Sequence, residues 1–312
     1  MPLGQDLLDL IPFRDEAACA QARAIRKEEM TRREATHHPE FSILVIEEAA
    51  TLYKAMAEDM LSRIRKAARE GRPFVGVFPV GPVGQYAHLA REINEGRTSC
   101  QHVKLFFLDE YAYEDGRTID KSSPWSFEFI AQKKLLSAID ESLRPPPDQV
   151  HFPGPDNVAH YDELIAEASG GRGADVVYGG IGWCGHFAFW EPHLFAEFGD
   201  LAAWQAAHTS HVRLHPMTLL HNSLRAGGDW WAIPPCAYTI GPQVLLAAQY
   251  RSFWLDAYLG GGVSWQRFIG RLATHGPVTP LVPASFLQTA PGEVVFLGAV
   301  AEDIGGPKTS WQ

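Results

Sequence analysis

Residues 175–192 read DVVYGGIGWCGHFAFWEP. The apolar run Val176, Val177, Tyr178 stops at two glycines, and the segment beyond carries Cys184, His186 and Glu191 with two tryptophans among them. A short apolar run closed by glycine is the pattern of a strand buried on both faces, as in a parallel sheet. Chemically able side chains just past its carboxyl end stand where such sheets bind ligands. This stretch therefore sets two expectations, a parallel α/β sheet and a site at its strand ends.

Reading outward, the same alternation recurs. FSILVIEE (41–48) is a β-rich run, and the helical spacing of the apolar residues after it runs on to Gly71, a plausible C-cap. PFVGVFPVGP (73–82) reads as a buried strand entering a glycine-proline turn, and VGQYAHLAREINEG (83–96) as a helix. HVKLFFLDEY (102–111) reads as a strand with Asp109 and Glu110 at its end. Beyond the proline-rich 144–155 come a helix (158–169), the opening strand, and further runs at 236–246, 249–260 and 293–300. Strands alternating with helices over most of the chain specify an α/β fold with a mainly parallel sheet. Residues 1–40 read as a helical N-terminal extension, and residues 41–312 as the α/β domain.

The bulk numbers exclude several classes. The 312 residues are 46% hydrophobic and 21% charged, with 37 acidic against 27 basic side chains and a net charge of -10. No long basic run offers a nucleic-acid surface, and RAIRKEEMTRREATHH (23–38) interleaves its cations with glutamates, as a solvated helix face does. The first residues lack the pattern of a secretion signal, and no apolar run is long enough to span a bilayer. Cys19, Cys100, Cys184 and Cys236 lie far apart, which fits free thiols in a reducing, cytoplasmic setting.

Longer motifs resemble those of the glucosamine-6-phosphate deaminase/isomerase family, which is related to the 6-phosphogluconolactonases. FFLDEY (106–111) followed by GGIGWCGHFAFWEP (179–192) is similar to that family's D-E-Y strand end and its G-G-x-G-x-D-G-H-x-A-F-N-E-P segment. SSPWSFEFI (122–130), TLLHNS (218–223) and GGDWWAIPPCAYTIG (227–241) match further family segments. The resemblance runs from about Phe41 nearly to the C-terminus. It implies a Rossmann-like three-layer α/β/α sandwich and a homo-oligomer, and an enzyme that opens a sugar ring and moves a proton between C1 and C2. By position, Asp109 becomes the proton-transfer base, His186 the acid and base at the ring oxygen, and Glu191 the group that orients it. A desolvated carboxyl and an imidazole suit those tasks. Gly81, Val83, Gly84, Glu110, Tyr111, Trp125, Gly182, Trp183, Gly185 and Trp190 are the expected substrate contacts.

The departures matter as much. The family's acidic residue two before the histidine is Cys184, read either as a catalytic thiol activated by His186 or as a small uncharged replacement. The phosphate-holding loop is shortened to PVGPVGQY (79–86), with no threonine and with Pro82 lacking an N–H. Leu219 and Val263 stand where an arginine and a lysine are expected, leaving Arg213, Arg225 and Arg267 as the available replacements. The expectation is a sugar or amino sugar without phosphate, bound with no cofactor and no metal, and with neither nucleic acid nor membrane as partner. In HTSHVRLHPMTLLH (208–221), His211 and His215 have the spacing of a metal pair, but Pro216 disfavours a helix there. Two alternatives stand beside the isomerase/deaminase: a sugar-lactone hydrolase using the same carboxylate and histidine, and a sugar sensor without catalysis.

Overall fold

The apolar runs become strands. In chain order they are β1 (Phe41–Ile46), β2 (Phe74–Phe78), β3 (Val103–Phe107), β4 (Asp109–Ala112), β5 (Val150–His151), β6 (Val176–Gly179), β7 (Ser210–Arg213), β8 (Cys236–Thr239), β9 (Arg251–Leu255) and β10 (Gly292–Leu297). The structure is a computed structural model that describes residues 10, 11 and 13–305. Seven strands pair in parallel in the order β1-β10-β9-β6-β2-β3-β5, with helices on both sides. The central strands β2, β6 and β9 are buried along their whole lengths, which is why they read as unbroken apolar runs rather than alternating ones.

Covering helices follow the 3.6-residue period. In helix Ala49–Arg69, the buried residues Leu52, Met56, Met60 and Ile64 recur every fourth position against the sheet, and the chain leaves through Gly71 at φ 66°. The lead-in is packed on the same body: helix Glu16–Ala24, capped by Asp15, lies against helix Gln266–His275, and Ala22, Ile25 and Met30 join the common core. Residues 1–9 and 12 of the expected extension lie outside the described residues.

One element departs from expectation. HVKLFFLDEY is two strands, because Leu108 belongs to neither sheet: its N–H donates to Phe78 O at 3.1 Å and its carbonyl accepts from Ile240 N at 2.9 Å. Asp109 thereby opens β4, which pairs antiparallel with β8, and β8 with β7, in a separate three-stranded sheet. The residues 236–239, expected within the main alternation, form the middle of that small sheet.

The order of the large sheet sets the site. From β2 the chain moves outward through β3 to β5, then returns to β6 on the other side of β2 and continues through β9 to β10. The winding reverses between β2 and β6, and the loops leaving these two carboxyl ends separate to open a crevice.

Candidate active site

A cleft lies at that reversal. Its floor is the backbone of residues 79–82 after β2 and 180–182 after β6, and its walls include Asp109, His186, His221, Arg225 and Asp256. The two loops meet closely: a Cβ on Gly180 would be in ordinary van der Waals contact, 3.4 Å from Gly81 O and 3.5 Å from Trp254 O. The loop after β6 is tied into a compact hairpin, with Gly182 N–H donating to His186 O at 3.0 Å and Gly185 N–H to Gly182 O at 2.9 Å. Gly185 has φ 87°, and a Cβ there would come within 2.9 Å of Val282, so both conformation and space demand glycine.

Asp109 and Glu110 are neighbours on one strand and face opposite ways. Asp109 is 6% exposed and lines the cleft. Desolvation first, then repulsion from Glu110, pushes its carboxyl well above the usual carboxylate range. Glu110 turns away from the cleft and accepts from Ser126 Oγ at 2.8 Å, Phe127 N–H at 2.9 Å and Glu128 N–H at 2.8 Å. It closes the N-terminus of helix Phe127–Lys134, a capping task rather than the expected substrate contact.

His186 presents its Nε2 edge toward Gly182 and the cleft, so close that a Cβ on Gly182 would lie 1.8 Å from that nitrogen. Its Nδ1 lies 3.0 Å from Glu191 Oε2, inside a fully buried knot that also holds Cys184 and Thr218. Desolvation opposes ionisation of Glu191, yet His186, Cys184 and Thr218 together hold its carboxyl below its ordinary value. Cys184 is 3% exposed, does not line the cleft, and is pushed well above an ordinary thiol by burial and then by the Glu191 charge. A thiol kept neutral behind the histidine is no nucleophile toward a cleft ligand, which corrects the catalytic reading of Cys184.

The remaining expected contacts divide. Gly81 and Gly182 line the cleft. Val83 is half-buried against the core, and Gly84 lies under the Tyr53 ring, both outside it. Tyr111 is buried with its ring 4.8 Å from Phe127 and 5.3 Å from Phe189. Trp190 is core, packed on Phe198, whereas Trp125 is half-buried and Trp183 is exposed, and none of the three faces the cleft. The aromatic walls are Phe127, Phe189, Trp254 and Trp265 instead. Local sequence could not separate these from core aromatics, because only the meeting of four chain segments puts them on one surface.

Two further cleft residues went unassigned by the sequence. Asp256 follows β9, accepts from Tyr53 Oη at 2.7 Å, and is pushed up chiefly by desolvation. His221, its ring tilted against Trp265 at 4.0 Å between centroids, is driven by burial down to about 3 and so stays neutral, with a buried Nδ1 that finds no partner among the described residues. His211, on β7, donates through Nε2 to Tyr113 O, while His215 caps helix Pro216–Ser223, so the spaced pair is not a joint site. Of the three arginines left to replace the missing anchors, Arg213 pairs with Glu114 at 3.1 Å and Arg267 donates to Ala299 O at 2.8 Å. Arg225 is the one at the cleft.

No family model matches the chain. By sequence it is 33% identical over 209 residues to a glucosamine-6-phosphate deaminase of Porphyromonas gingivalis strain ATCC BAA-308 / W83, spanning 64% of this chain and 71% of that protein. It is 31% identical over 213 residues to glucosamine-6-phosphate deaminase 2 of Bacillus subtilis, spanning 66% and 75%. By structure it is similar to a monomeric glucosamine-6-phosphate deaminase, with a TM-score of 0.67 and 22% identity over 83% of this chain and 98% of that one. A 6-phosphogluconolactonase of Thermotoga maritima follows at a TM-score of 0.57 and 18% identity, over 82% and 99%. The structural likenesses carry the fold alone.

Proposed function

The chain belongs to the glucosamine-6-phosphate deaminase family, and from that premise we propose that it is an aldose–ketose isomerase/deaminase acting on an amino sugar without phosphate. The observation that supports this reading is that Asp109, from the start of β4, and His186, from the loop after β6, line one cleft. His186, held through Nδ1, offers Nε2 to the ring oxygen and opens the ring by proton transfer. Asp109 then carries a proton from C2 to C1, and water displaces ammonia from the C2 imine, so the sugar is neither oxidised nor reduced overall. Asp109 must be ionised to act, and a substrate ammonium beside it favours that state. His221 supplies a neutral hydrogen-bonding edge for a sugar hydroxyl, and Phe127, Phe189, Trp254 and Trp265 supply apolar faces.

The phosphate-free part rests on charge. Arg225, exposed at the lip, is the only lysine or arginine among the lining residues, and the half-buried Asp256 shares that wall. A dianion is ordinarily held by several charge-assisted bonds. Ammonia release and deuterium exchange at C2, measured with glucosamine and galactosamine and with their 6-phosphates, test the reading. Higher kcat/KM for the free sugars supports it. Preference for the phosphates, lost in Arg225→Ala, overturns the phosphate-free part and leaves the chemistry standing. Lactone hydrolysis without C2 exchange overturns the chemistry.

Self-association belongs to the same proposal. Trp230 and Trp231 are 60% and 87% exposed, with Leu220 and Leu224 exposed nearby on the same segment, an apolar surface that suits a partner subunit. A mass by light scattering equal to one chain would remove this part.

A further inference from the structure

Behind the cleft, four side-chain atoms stand at the corners of a near-regular tetrahedron. They are Cys184 Sγ, His186 Nδ1, Glu191 Oε2 and Thr218 Oγ1. The three edges among nitrogen and oxygen measure 3.0, 3.2 and 3.2 Å. The three edges to sulfur measure 2.9 Å to Glu191, 3.2 Å to His186 and 3.6 Å to Thr218. Glu191 and Thr218 are 0% exposed, Cys184 3% and His186 6%.

Hydrogen bonding alone serves this arrangement poorly. The thiol, the hydroxyl and one imidazole N–H bring at most three hydrogens to six close approaches. Glu191 Oε2 has all three donors crowded on it, while Oε1 of the same carboxyl is buried with no partner among the described residues. A cation at the centre would instead meet a lone pair from every corner.

The dimensions fit a small tetrahedral ion. Zinc lies about 2.0–2.2 Å from imidazole nitrogen and oxygen ligands and about 2.3 Å from thiolate, so its ligands stand about 3.3–3.6 Å apart, or about 3.5–3.7 Å where one is sulfur. To reach that spacing the sulfur–carboxylate edge has to open most, by about 0.6–0.8 Å, and the others by about half an ångström or less. The charges fit too: one thiolate and one carboxylate cancel a divalent ion, and this leaves no net charge in a site without water access. The mixed sulfur, nitrogen and oxygen donor set in tetrahedral array is that of zinc rather than of magnesium or calcium.

We propose that Cys184, His186, Glu191 and Thr218 form a binding site for one divalent transition-metal ion, best matched by zinc. Metal–sulfur bond formation displaces the Cys184 thiol proton to solvent, and Thr218 binds through its neutral hydroxyl. With Nδ1 occupied, the imidazole proton stays on Nε2, so the loaded His186 donates toward the cleft but accepts no proton there. The ion would thus decide which half of acid–base chemistry the histidine performs. The proposal does not depend on the sugar, and its test reads no turnover.

Metal-stripped full-length chain is titrated with cobalt(II), the spectroscopic stand-in for zinc. The expected result is saturation at one ion per chain, intense tetrahedral ligand-field bands, a thiolate-to-cobalt charge-transfer band, and displacement of the cobalt by zinc. Cys184→Ala is expected to lose the charge-transfer band, whereas His211→Asn, outside the cluster, keeps the full spectrum. No charge-transfer band in wild type under excess cobalt overturns the proposal, as does a band that survives in Cys184→Ala. Should Cys184→Ala not fold, zinc-edge X-ray absorption on the wild type decides: one sulfur with nitrogen and oxygen neighbours supports the site, and a shell without sulfur refutes it.

Discussion

Asp109 sits where a carboxyl is least comfortable, desolvated and next to a second carboxyl, and it makes no compensating hydrogen bond among those described. Two consequences follow at the scale of this one residue. Its proton is held more tightly in the folded chain than in the unfolded one. Stability therefore declines as pH rises from the ordinary carboxylate range through the raised folded value, and the full penalty remains above it. Asp109→Asn removes that penalty, so its melting temperature at neutral pH is expected above wild type, while kcat/KM falls by about 10²–10⁴-fold, the usual worth of a positioned base. The second consequence concerns pH. Activity needs ionised Asp109 and is lost as pH falls through its raised value. Glu110→Gln deletes the neighbouring charge but leaves an acceptor for helix Phe127–Lys134, so the acid limb of the kcat/KM profile should move to lower pH. An unmoved limb would mean that Asp109 is not the titrating group. Asp109 and His186 were legible as site candidates from their motifs, but the capping role of Glu110 was not, since it depends on a helix beginning 17 residues later.

At the scale of elements, the loop after β6 acts as a rigid bracket. Its hydrogen-bonded hairpin leaves the His186 ring resting directly on Gly182, with no room for a Cβ. Gly182→Ala is expected to turn the imidazole away from its Nδ1 partners. Displacement of a reacting group by about an ångström costs on the order of 10²-fold in turnover. Gly182 is not in the left-handed region, and the clash is with a side chain rather than backbone, so the melting temperature should stay within a few degrees of wild type. Unchanged kcat would show that His186 is free to adjust and that the bracket is not what holds it. The glycines of this loop were visible in the sequence, and the physical need for Gly182 and Gly185 follows from close approaches across the loop. The aromatic walls were misread: Trp183 and Trp190 flank the histidine in the chain, yet one points to solvent and the other into the core. In a loop of successive tight turns the direction of each side chain is set by the local backbone and by what packs opposite, not by nearness to the histidine in the chain.

At the scale of the whole molecule, the lead-in and the last described segment are fastened together. Arg271 is fully buried and donates to Ile25 O at 3.0 Å, to Ala301 O at 2.6 Å and to Glu302 O at 3.0 Å, and it joins the lead-in to the C-terminal segment. Arg271→Ala leaves those carbonyls unpaired beside a cavity, and a loss of about 3 kcal/mol or more in unfolding free energy is expected by chemical denaturation. A loss near zero would mean that the lead-in is a detachable appendage. Residues 1–40 read as a helical extension, but nothing in that reading announced that Ala22, Ile25 and Met30 join the main core.

Local pattern was sufficient for the main strands of the large sheet, the covering helices and the glycine turns, because apolar periodicity and backbone freedom are properties of neighbouring residues. It was sufficient, too, to single out a carboxyl and an imidazole as candidates, since each lies in a contiguous motif. Only the tertiary structure decided what stands around that pair. The reversal of winding between β2 and β6 gathers Asp256, His221 and Arg225 from segments far apart in the chain. The four-cornered knot of Cys184, His186, Glu191 and Thr218 likewise depends on a helix arriving from beyond β7. Distances between such groups are set by packing, and packing is a property of the folded whole.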